Sequence, residues 1–168
     1  MPVLAKSLRA LRFAGILCAL FVSACGYHLR GVVALPFDRL YLDTGGSRTL
    51  AVDLERTIRA GSNVRFTDQP DKAQATLQVF GESNEKRILA LSGSGRVREF
   101  QLVYRLSFRL YDRQGRELIA PNALELIRDF PFNDAEILAR EHEESVLYQD
   151  MRRDAVQQIM WRLSSVKL

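Results

Sequence analysis

Side chains that could perform acid–base or metal chemistry are few in this sequence. Two histidines occur, His28 and His142, and neither has a second histidine at the spacing of a zinc-binding helix. Three glutamates lie between positions 141 and 144, but acids near the start of a long helix are expected from its dipole. The Gly-Ser-Gly run at 93–95 lacks the third glycine of a dinucleotide site and is expected to be a turn. With no Gly-x-Ser-x-Gly or Walker A loop either, the sequence predicts a protein that is not an enzyme and binds no metal.

Cys25 is the residue with the clearest chemical role. It ends the run Val-Ser-Ala-Cys at 22–25, which resembles the lipobox of bacterial lipoproteins, where the cysteine sulfur is acylated and becomes the mature N-terminus. The alternative is a buried helix at 13–22 followed by a core thiol. A basic flank, a short apolar run and small residues before the cysteine occur together at the chain start, which favours the signal.

Residues 1–24 have the layout of an export signal. Lys6, Arg9 and Arg12 precede an apolar run of ten residues, about half of the roughly 20 needed to cross a bilayer. We expect 1–24 to be removed, 25–36 to form a lipidated tether and 37–168 to form a single domain. More than one acyl chain on Cys25 would give a stable anchor, since each buried methylene contributes about 0.8 kcal/mol. Because Gly26, and not aspartate, follows the cysteine, the outer membrane is the expected location.

Removal of the signal changes the charge balance. The formal charge is +4, with 24 basic and 20 acidic residues, but three basic residues and no acidic one precede Cys25, which leaves 21 against 20. A nearly neutral chain is weakly suited to nucleic acid, so no nucleic-acid partner is expected. Cys18 leaves with the signal and Cys25 carries lipid, so no internal disulfide is expected.

The strongest secondary-structure pattern is the alternation of apolar and polar residues at 99–110, which predicts a strand with one buried face. We expect that face to be core rather than the lining of a lipid pocket. Turns are predicted on both sides, at 92–95 and 112–115. Further strand predictions cover 39–42, 75–80 with 87–91 as one ribbon, and 117–132, interrupted near Pro121. Residues 64–67 are too short to classify.

Two amphipathic helices are predicted. The first begins after Ser47, the expected N-cap, and ends at Gly61, with apolar residues at helical spacing. The second follows Asn133, and its apolar stripe is Val146, Leu147, Met151, Ala155, Ile159 and Leu163, widened by Val156 and Met160. Meandering strands flanked by helices indicate an α+β fold, with both helices on one face of a mainly antiparallel sheet.

The segment after the lipobox resembles a known family. Residues 25–30 read Cys-Gly-Tyr-His-Leu-Arg, similar to the Cys-Gly-aromatic-His-Leu-Arg start of the lipopolysaccharide-assembly lipoproteins, LptE (also RlpB). The Glu-Phe-Gln at 99–101, the Leu-Ala-basic at 138–140 and the closing helix also match. The resemblance implies two helices packed on one face of a four-stranded, mainly antiparallel or mixed sheet.

The resemblance also implies a function. An LptE protein is an outer-membrane lipoprotein on the periplasmic side that plugs and helps assemble the large LptD-type barrel, one to one, and binds lipopolysaccharide on its way to the cell surface. A very wide barrel encloses a lumen that side chains alone cannot fill. The covalent lipid on Cys25 is the only non-protein group implied, and no cofactor is expected. The alternative is a free-standing lipoprotein facing the periplasm that binds a small ligand or another envelope partner.

Three arginines are the lipopolysaccharide-binding residues that the resemblance implies. Arg140 occupies the basic place of Leu-Ala-basic, and a guanidinium can bind a lipid A phosphate with two parallel hydrogen bonds. The alternative for Arg140 is a surface ion pair with Glu136, Glu143 or Glu144, worth 0 to about 1 kcal/mol. At the hairpin the family's arginine falls on Gly93, which leaves Arg96 and Arg98 as nearby substitutes.

Overall fold

The computed structural model describes residues 34–132 and 137–166, without the side chains of 137–139. The predicted signal peptide, Cys25, most of the tether and Glu136 lie outside these residues. The described elements follow the order β1 (Arg39–Asp43), α1 (Arg48–Gly61), β2 (Arg65–Phe66), a 3₁₀ turn (Pro70–Lys72), β3 (Ala75–Leu91), β4 (Val97–Asp112), β5 (Glu117–Pro131) and α2 (Ile137–Ser164). The α+β class with two helices is therefore confirmed.

In the described residues the sheet has five strands in the order β2-β1-β3-β4-β5, so the expectation of four strands is wrong. The mixed character comes from β1, which is parallel to both β2 and β3, while β3, β4 and β5 form an antiparallel meander. The additional strand, β2, has two residues and pairs with Arg39 and Leu40. Two residues cannot show a period, and β2 exists because Arg65 and Thr67 donate backbone hydrogen bonds to β1 and its flank.

β3 and β4 form a long hairpin with a bulge at Gly81. The expectation that 75–80 and 87–91 belong to one ribbon is confirmed, since β3 runs through both. Phe80 pairs with Ser107 and Ser83 with Arg105, so β3 carries one extra residue at this point, where Gly81 has φ +65°. An extra residue exchanges the two faces of a strand. Beyond the bulge, polar side chains therefore point to the side where the helices lie.

β5 is continuous through Pro121, where an interruption was expected. Phe108 pairs with Asn122 and Leu110 with Ile119, so one extra residue on β5 lies in this interval. A proline in a strand is tolerated at a bulge or on an edge strand, and β5 is both bulged and the edge of the sheet.

One hydrophobic core lies between the sheet and the helices, and it contains the alternating β4 residues, as expected. The side chains that are less than 2% exposed include Leu50, Leu54 and Ile58 of α1, Leu102, Tyr104, Leu106, Phe108 and Leu110 of β4, and Met151, Ala155, Val156, Ile159 and Leu163 of α2. Apolar residues of both helices meet the same face of β4, so both helices cover that face.

Val146 is a correction to the predicted stripe of α2, because it is 37% exposed. The buried series follows Leu147 at steps of four, and a residue one position away on a helix is rotated by about 100°. Tertiary packing selected Leu147 as the inward residue of this pair.

The two helices run parallel, side by side. Arg152 Nε donates a 2.9 Å hydrogen bond to Asp53 Oδ2. Eight positions later on both helices, a Cβ placed on Gly61 would lie 2.9 Å from Met160 Cε. Both contacts join residues 99 positions apart, which only parallel helices produce. Gly61 therefore ends α1 and also permits its close approach to α2.

Candidate functional site

The distal half of the β3–β4 hairpin meets the first turns of α2, and we call this region the hairpin–helix corner. It comprises β3 beyond Gly81, the tip, the start of β4 and α2 as far as Tyr148. The tip is closed by backbone hydrogen bonds from Ser92 N to Arg96 O, 2.7 Å, and from Gly95 N to Ser92 O, 2.9 Å. The predicted hairpin turn at 92–95 is confirmed, with Gly95 at φ +77°.

Two contacts hold the hairpin against α2. Lys86 Nζ lies 2.6 Å from Glu144 Oε2, and the Tyr148 hydroxyl donates a 2.8 Å hydrogen bond to the backbone carbonyl of Glu85. Burial raises the pKa of the Tyr148 hydroxyl above its usual value, and the charge of Glu144 acts in the same direction. Glu144 and Tyr148 are one turn apart, so one stripe of α2 contacts two successive residues of β3.

Lys86 also lies among aromatic rings. Its ammonium is 4.3 Å from the centroid of the Phe100 ring, within cation–π range. Phe100 and Phe132 pack edge to face, with centroids 5.1 Å apart. The Lys86 side chain remains one-third exposed and borders a cleft of about 700 Å³ between β3 and α2. The Glu144 carboxylate and the Phe100 ring thus hold the Lys86 ammonium, which solvent can still reach.

Arg140 lies one turn before Glu144 on α2. Its Nη1 donates a 2.7 Å hydrogen bond to Glu143 Oε2, and its side chain is 23% exposed. Glu143 is one of the three acids considered as a partner, whereas Glu144 pairs with Lys86. Arg140 therefore forms a surface ion pair with Glu143. Its position on α2 also places its guanidinium in the hairpin–helix corner.

Arg96 and Arg98 are both exposed at the hairpin tip. The carbonyl of Arg98 accepts a 2.8 Å hydrogen bond from the backbone N–H of Phe132, which precedes the connection to α2. The backbone of Arg98 therefore lies next to Phe132 of the Phe100–Phe132 pair, while Arg96 lies within the turn. Both arginines therefore belong to the hairpin–helix corner, Arg98 at the start of β4 and Arg96 in the tip.

The tip carries an exposed apolar patch that the sequence pattern did not reveal. Ile88, Leu89 and Leu91 are 60%, 46% and 56% exposed. The sequence feature that could have indicated these exposed side chains is the apolar run at 88–91, directly before the glycine-serine turn. Its periodicity predicted only a strand and not that the side chains are exposed. Exposed apolar side chains that lie close together in a chain are typical of interaction sites. Apolar surface beside cationic side chains suits an amphiphile that carries negative charge.

The helix-free face of the sheet is organised differently, by a network of Arg87, Glu85, Arg105 and Glu125. Glu85 accepts hydrogen bonds from Arg87 Nε and Arg105 Nη1, each 2.6 Å, and Arg105 Nε binds Glu125 at 2.7 Å. The hydrogen bonds from Arg87 and then Arg105 lower the pKa of Glu85 to about 2. We call this the open-face network. Its charges neutralise one another, so it presents a polar surface rather than a site for one ion.

Metal-binding groups and membrane-spanning helices are absent from the residues that the structure describes. No group of three histidine, cysteine, aspartate or glutamate side chains there is placed to hold a metal ion. Within the same residues, no helix is long and apolar enough to cross a bilayer.

The described residues thus form an α+β domain of two helices and five strands, with cationic and exposed apolar side chains at the hairpin–helix corner. Residues 37–163 match the LptE family, described as lipopolysaccharide-assembly, and the chain belongs to this family. This membership confirms the family that the sequence was found to resemble, and it agrees with the expectation of a non-enzymatic lipoprotein.

Related proteins extend over nearly the whole chain. It is 28% identical over 156 residues to the LPS-assembly lipoprotein LptE of Pectobacterium atrosepticum, covering 89% of this chain and 82% of that one. It is 30% identical over 153 residues to the same-named protein of Yersinia enterocolitica, covering 88% and 72%. Among solved structures, the solution structure of an uncharacterized lipoprotein B from Nitrosomonas europaea matches with a TM-score of 0.73 and 44% identity, covering 83% and 91%. The rare lipoprotein B of Shewanella oneidensis, at 24% identity and a TM-score of 0.66, shares the fold.

Proposed function

We propose that this chain is an outer-membrane lipoprotein that binds lipopolysaccharide and that plugs and helps assemble a large LptD-type barrel. The observation that carries the proposal is the hairpin–helix corner, where exposed Ile88, Leu89 and Leu91 belong to the same hairpin tip as the exposed Arg96 and Arg98. Lipopolysaccharide presents phosphates next to acyl chains, so one ligand would use both surfaces. The relatives named LPS-assembly lipoproteins support the same role.

Arg140, Arg96 and Arg98 are the proposed phosphate contacts. Arginine binds phosphate through a planar, bidentate fork, and charge-assisted hydrogen bonds are roughly twice as strong as neutral ones. Arg140 would exchange Glu143, to which its Nη1 is now bonded, for a phosphate oxygen. Arg98 lies beside the Phe132 backbone and would approach the ligand from the hairpin side.

The dimensions of the hairpin support the role of a plug. The 17 residues of β3 extend roughly 50 Å at about 3.3 Å each, more than the ~30 Å hydrocarbon core of a bilayer. β1 pairs with β3 at Ala75, at the opposite end from the tip. The tip therefore projects beyond the part of β3 that β1 covers. The open-face network offers a polar surface to a barrel lumen, which is itself polar.

The test is affinity purification of the tagged full-length protein from detergent-solubilised outer membranes. We expect one large heat-modifiable barrel to co-elute in equal amount, because an obligate plug buries on the order of 2,000 Å² or more. Recovery of the lipoprotein alone would overturn the plug and favour a free-standing lipoprotein with a small ligand or another envelope partner.

A further inference from the structure

Lys86 is a cation at the hairpin–helix corner that no motif identifies. Its direction depends on the Gly81 bulge, which exchanges the faces of β3, so that Lys86 points to α2. We propose that Lys86 is a phosphate contact of the lipopolysaccharide site and that Glu144 is its internal competitor. This inference rests on the proposed function and concerns how the same site releases its ligand.

The position of Lys86 allows it to act together with Arg140. Glu144, which contacts the ammonium at 2.6 Å, lies one turn after Arg140 on α2. Side chains four positions apart on a helix have Cβ atoms about 5–6 Å apart, so Arg140 extends from the same stripe of α2 as the Glu144 that Lys86 contacts. The adjoining cleft of about 700 Å³, which Asn84 and Ser145 also line, gives access to Lys86 and Glu144.

Glu144 occupies the place that a phosphate oxygen would take on Lys86. The ammonium has three donors, and the ring of Phe100 covers another of its sides at 4.3 Å. A phosphate that reaches Lys86 must therefore displace the Glu144 carboxylate or lie against it, and like charges repel. The pair is partly open to solvent, with side chains 33% and 22% exposed, so it is weak enough to be exchanged.

The physical consequence is that competition from Glu144 limits the affinity of the site for lipopolysaccharide. A protein that passes an amphiphile onward must release it, and a carboxylate that returns to Lys86 as the phosphate leaves lowers the cost of release. Without the Glu144 carboxylate, the Lys86 ammonium would lose its partner in this ion pair. A phosphate could then take the place of the carboxylate without having to displace it.

The experiment measures binding of lipopolysaccharide, and of the same lipopolysaccharide after enzymatic dephosphorylation, to the full-length protein in detergent. The variants are Glu144→Gln, Lys86→Met and the double variant. Asp154→Asn is the matched control, because it also removes one carboxylate of α2 from an ion pair, with Arg128 at 2.8 Å, away from the corner. Thermal unfolding of every variant is measured in parallel.

We expect Glu144→Gln to tighten binding about fivefold and Lys86→Met to weaken it about fivefold, the size of a partly exposed ion-pair effect. Glu144→Gln should not tighten binding in the Lys86→Met background or with dephosphorylated lipopolysaccharide. The control Asp154→Asn should leave the affinity of the wild type unchanged. Should Lys86→Met fail to fold, Lys86→Arg, which keeps the charge, combined with Glu144→Gln must still bind more tightly than the wild type.

Two failures are distinguishable. Wild-type protein that does not bind lipopolysaccharide overturns the proposed function itself. Wild-type protein that binds, with Glu144→Gln binding equally or more weakly, leaves that function intact and overturns the competitor, since the pair would then serve only to hold the hairpin on α2.

Discussion

The Tyr104 hydroxyl donates a 2.7 Å hydrogen bond to Glu82 Oε1 at the boundary of the core. Tyr104 is 1% exposed, and burial, followed by the bond to Glu82, raises the pKa of its hydroxyl above the usual range. Glu82 reaches the tyrosine because the bulge at Gly81 directs it to the helix side of the sheet. The hydroxyl of Tyr104, which lies in an otherwise apolar stripe of β4, thus finds its hydrogen-bond acceptor because of the β-bulge in the neighbouring strand.

Glu82→Ala should lower the free energy of unfolding by about 1–2 kcal/mol, because it leaves a buried hydroxyl without its acceptor. Chemical denaturation measures the change. In a Tyr104→Phe background the same substitution should cost clearly less, since the hydroxyl is then absent. Equal costs in both backgrounds would show that the hydrogen bond contributes nothing to stability.

Gly81→Ala should destabilise the protein by about 1–2 kcal/mol, because an alanine side chain is disfavoured at φ +65°. A Cβ there would meet no atom within 4 Å, so the cost is conformational and not steric crowding. Gly93→Ala is the matched control, because a Cβ on Gly93 would also meet no atom within 4 Å but Gly93 does not have a positive φ. The denaturation midpoint of this variant should stay near that of the wild type.

Acid should weaken the open-face network through Glu85. The folded-state pKa of about 2 lies below the ordinary 4.5, so Glu85 contributes stability above about pH 4.5 that is lost as pH falls toward 2. Glu85→Gln should therefore flatten the fall in stability between these values, as followed by denaturation at a series of pH values. Since the group is exposed, high salt should reduce the difference; a difference that grows with salt would contradict the assignment.

Arg140→Asp combined with reversal of Arg96 or Arg98 should weaken lipopolysaccharide binding at least tenfold without loss of folding. Each substitution removes a charge-assisted contact, worth roughly 1.5–3 kcal/mol, and adds a repulsive charge. A pull-down with immobilised lipopolysaccharide measures the effect. Arg153→Asp is the control on the same helix, as its side chain is 64% exposed and bonded to Asp150. Unchanged binding by the first set would refute the arginine site.

Cys25→Ser should release the protein from membrane pellets unless a partner retains it, because acylation of the sulfur is lost. Cys18→Ser, within the predicted signal, should leave it in the pellet. Fractionation followed by immunoblotting reads both. Retention of Cys25→Ser in a strain that lacks the barrel would show that Cys25 is not the anchor.

Local patterns predicted the parts of the fold whose signal lies within one segment. Alternation over 99–110 identified β4 and its buried face, and apolar spacing after Ser47 identified α1, which begins at Arg48. Ser47 takes the N-cap position, although its side chain forms no capping hydrogen bond there. These assignments succeeded because amphipathic periodicity is a property of consecutive residues.

Contacts between segments were beyond such patterns. The strand β2 exists only through its partner β1, and the inward choice of Leu147 over Val146 depends on how α2 lies on the sheet. Arg140 was recognised by a matched motif, whereas Lys86 carries no motif and was missed.

By itself, then, the sequence determined the α+β class, the buried stripe of β4 and membership of the lipopolysaccharide-assembly lipoproteins, each from residues adjacent in the chain. Only the tertiary structure decided that β3 changes faces at Gly81 and that Lys86 meets Glu144 across 58 positions. The physical reason is that a bulge and a long-range ion pair are set by the register between strands and by helix docking, which no single segment encodes.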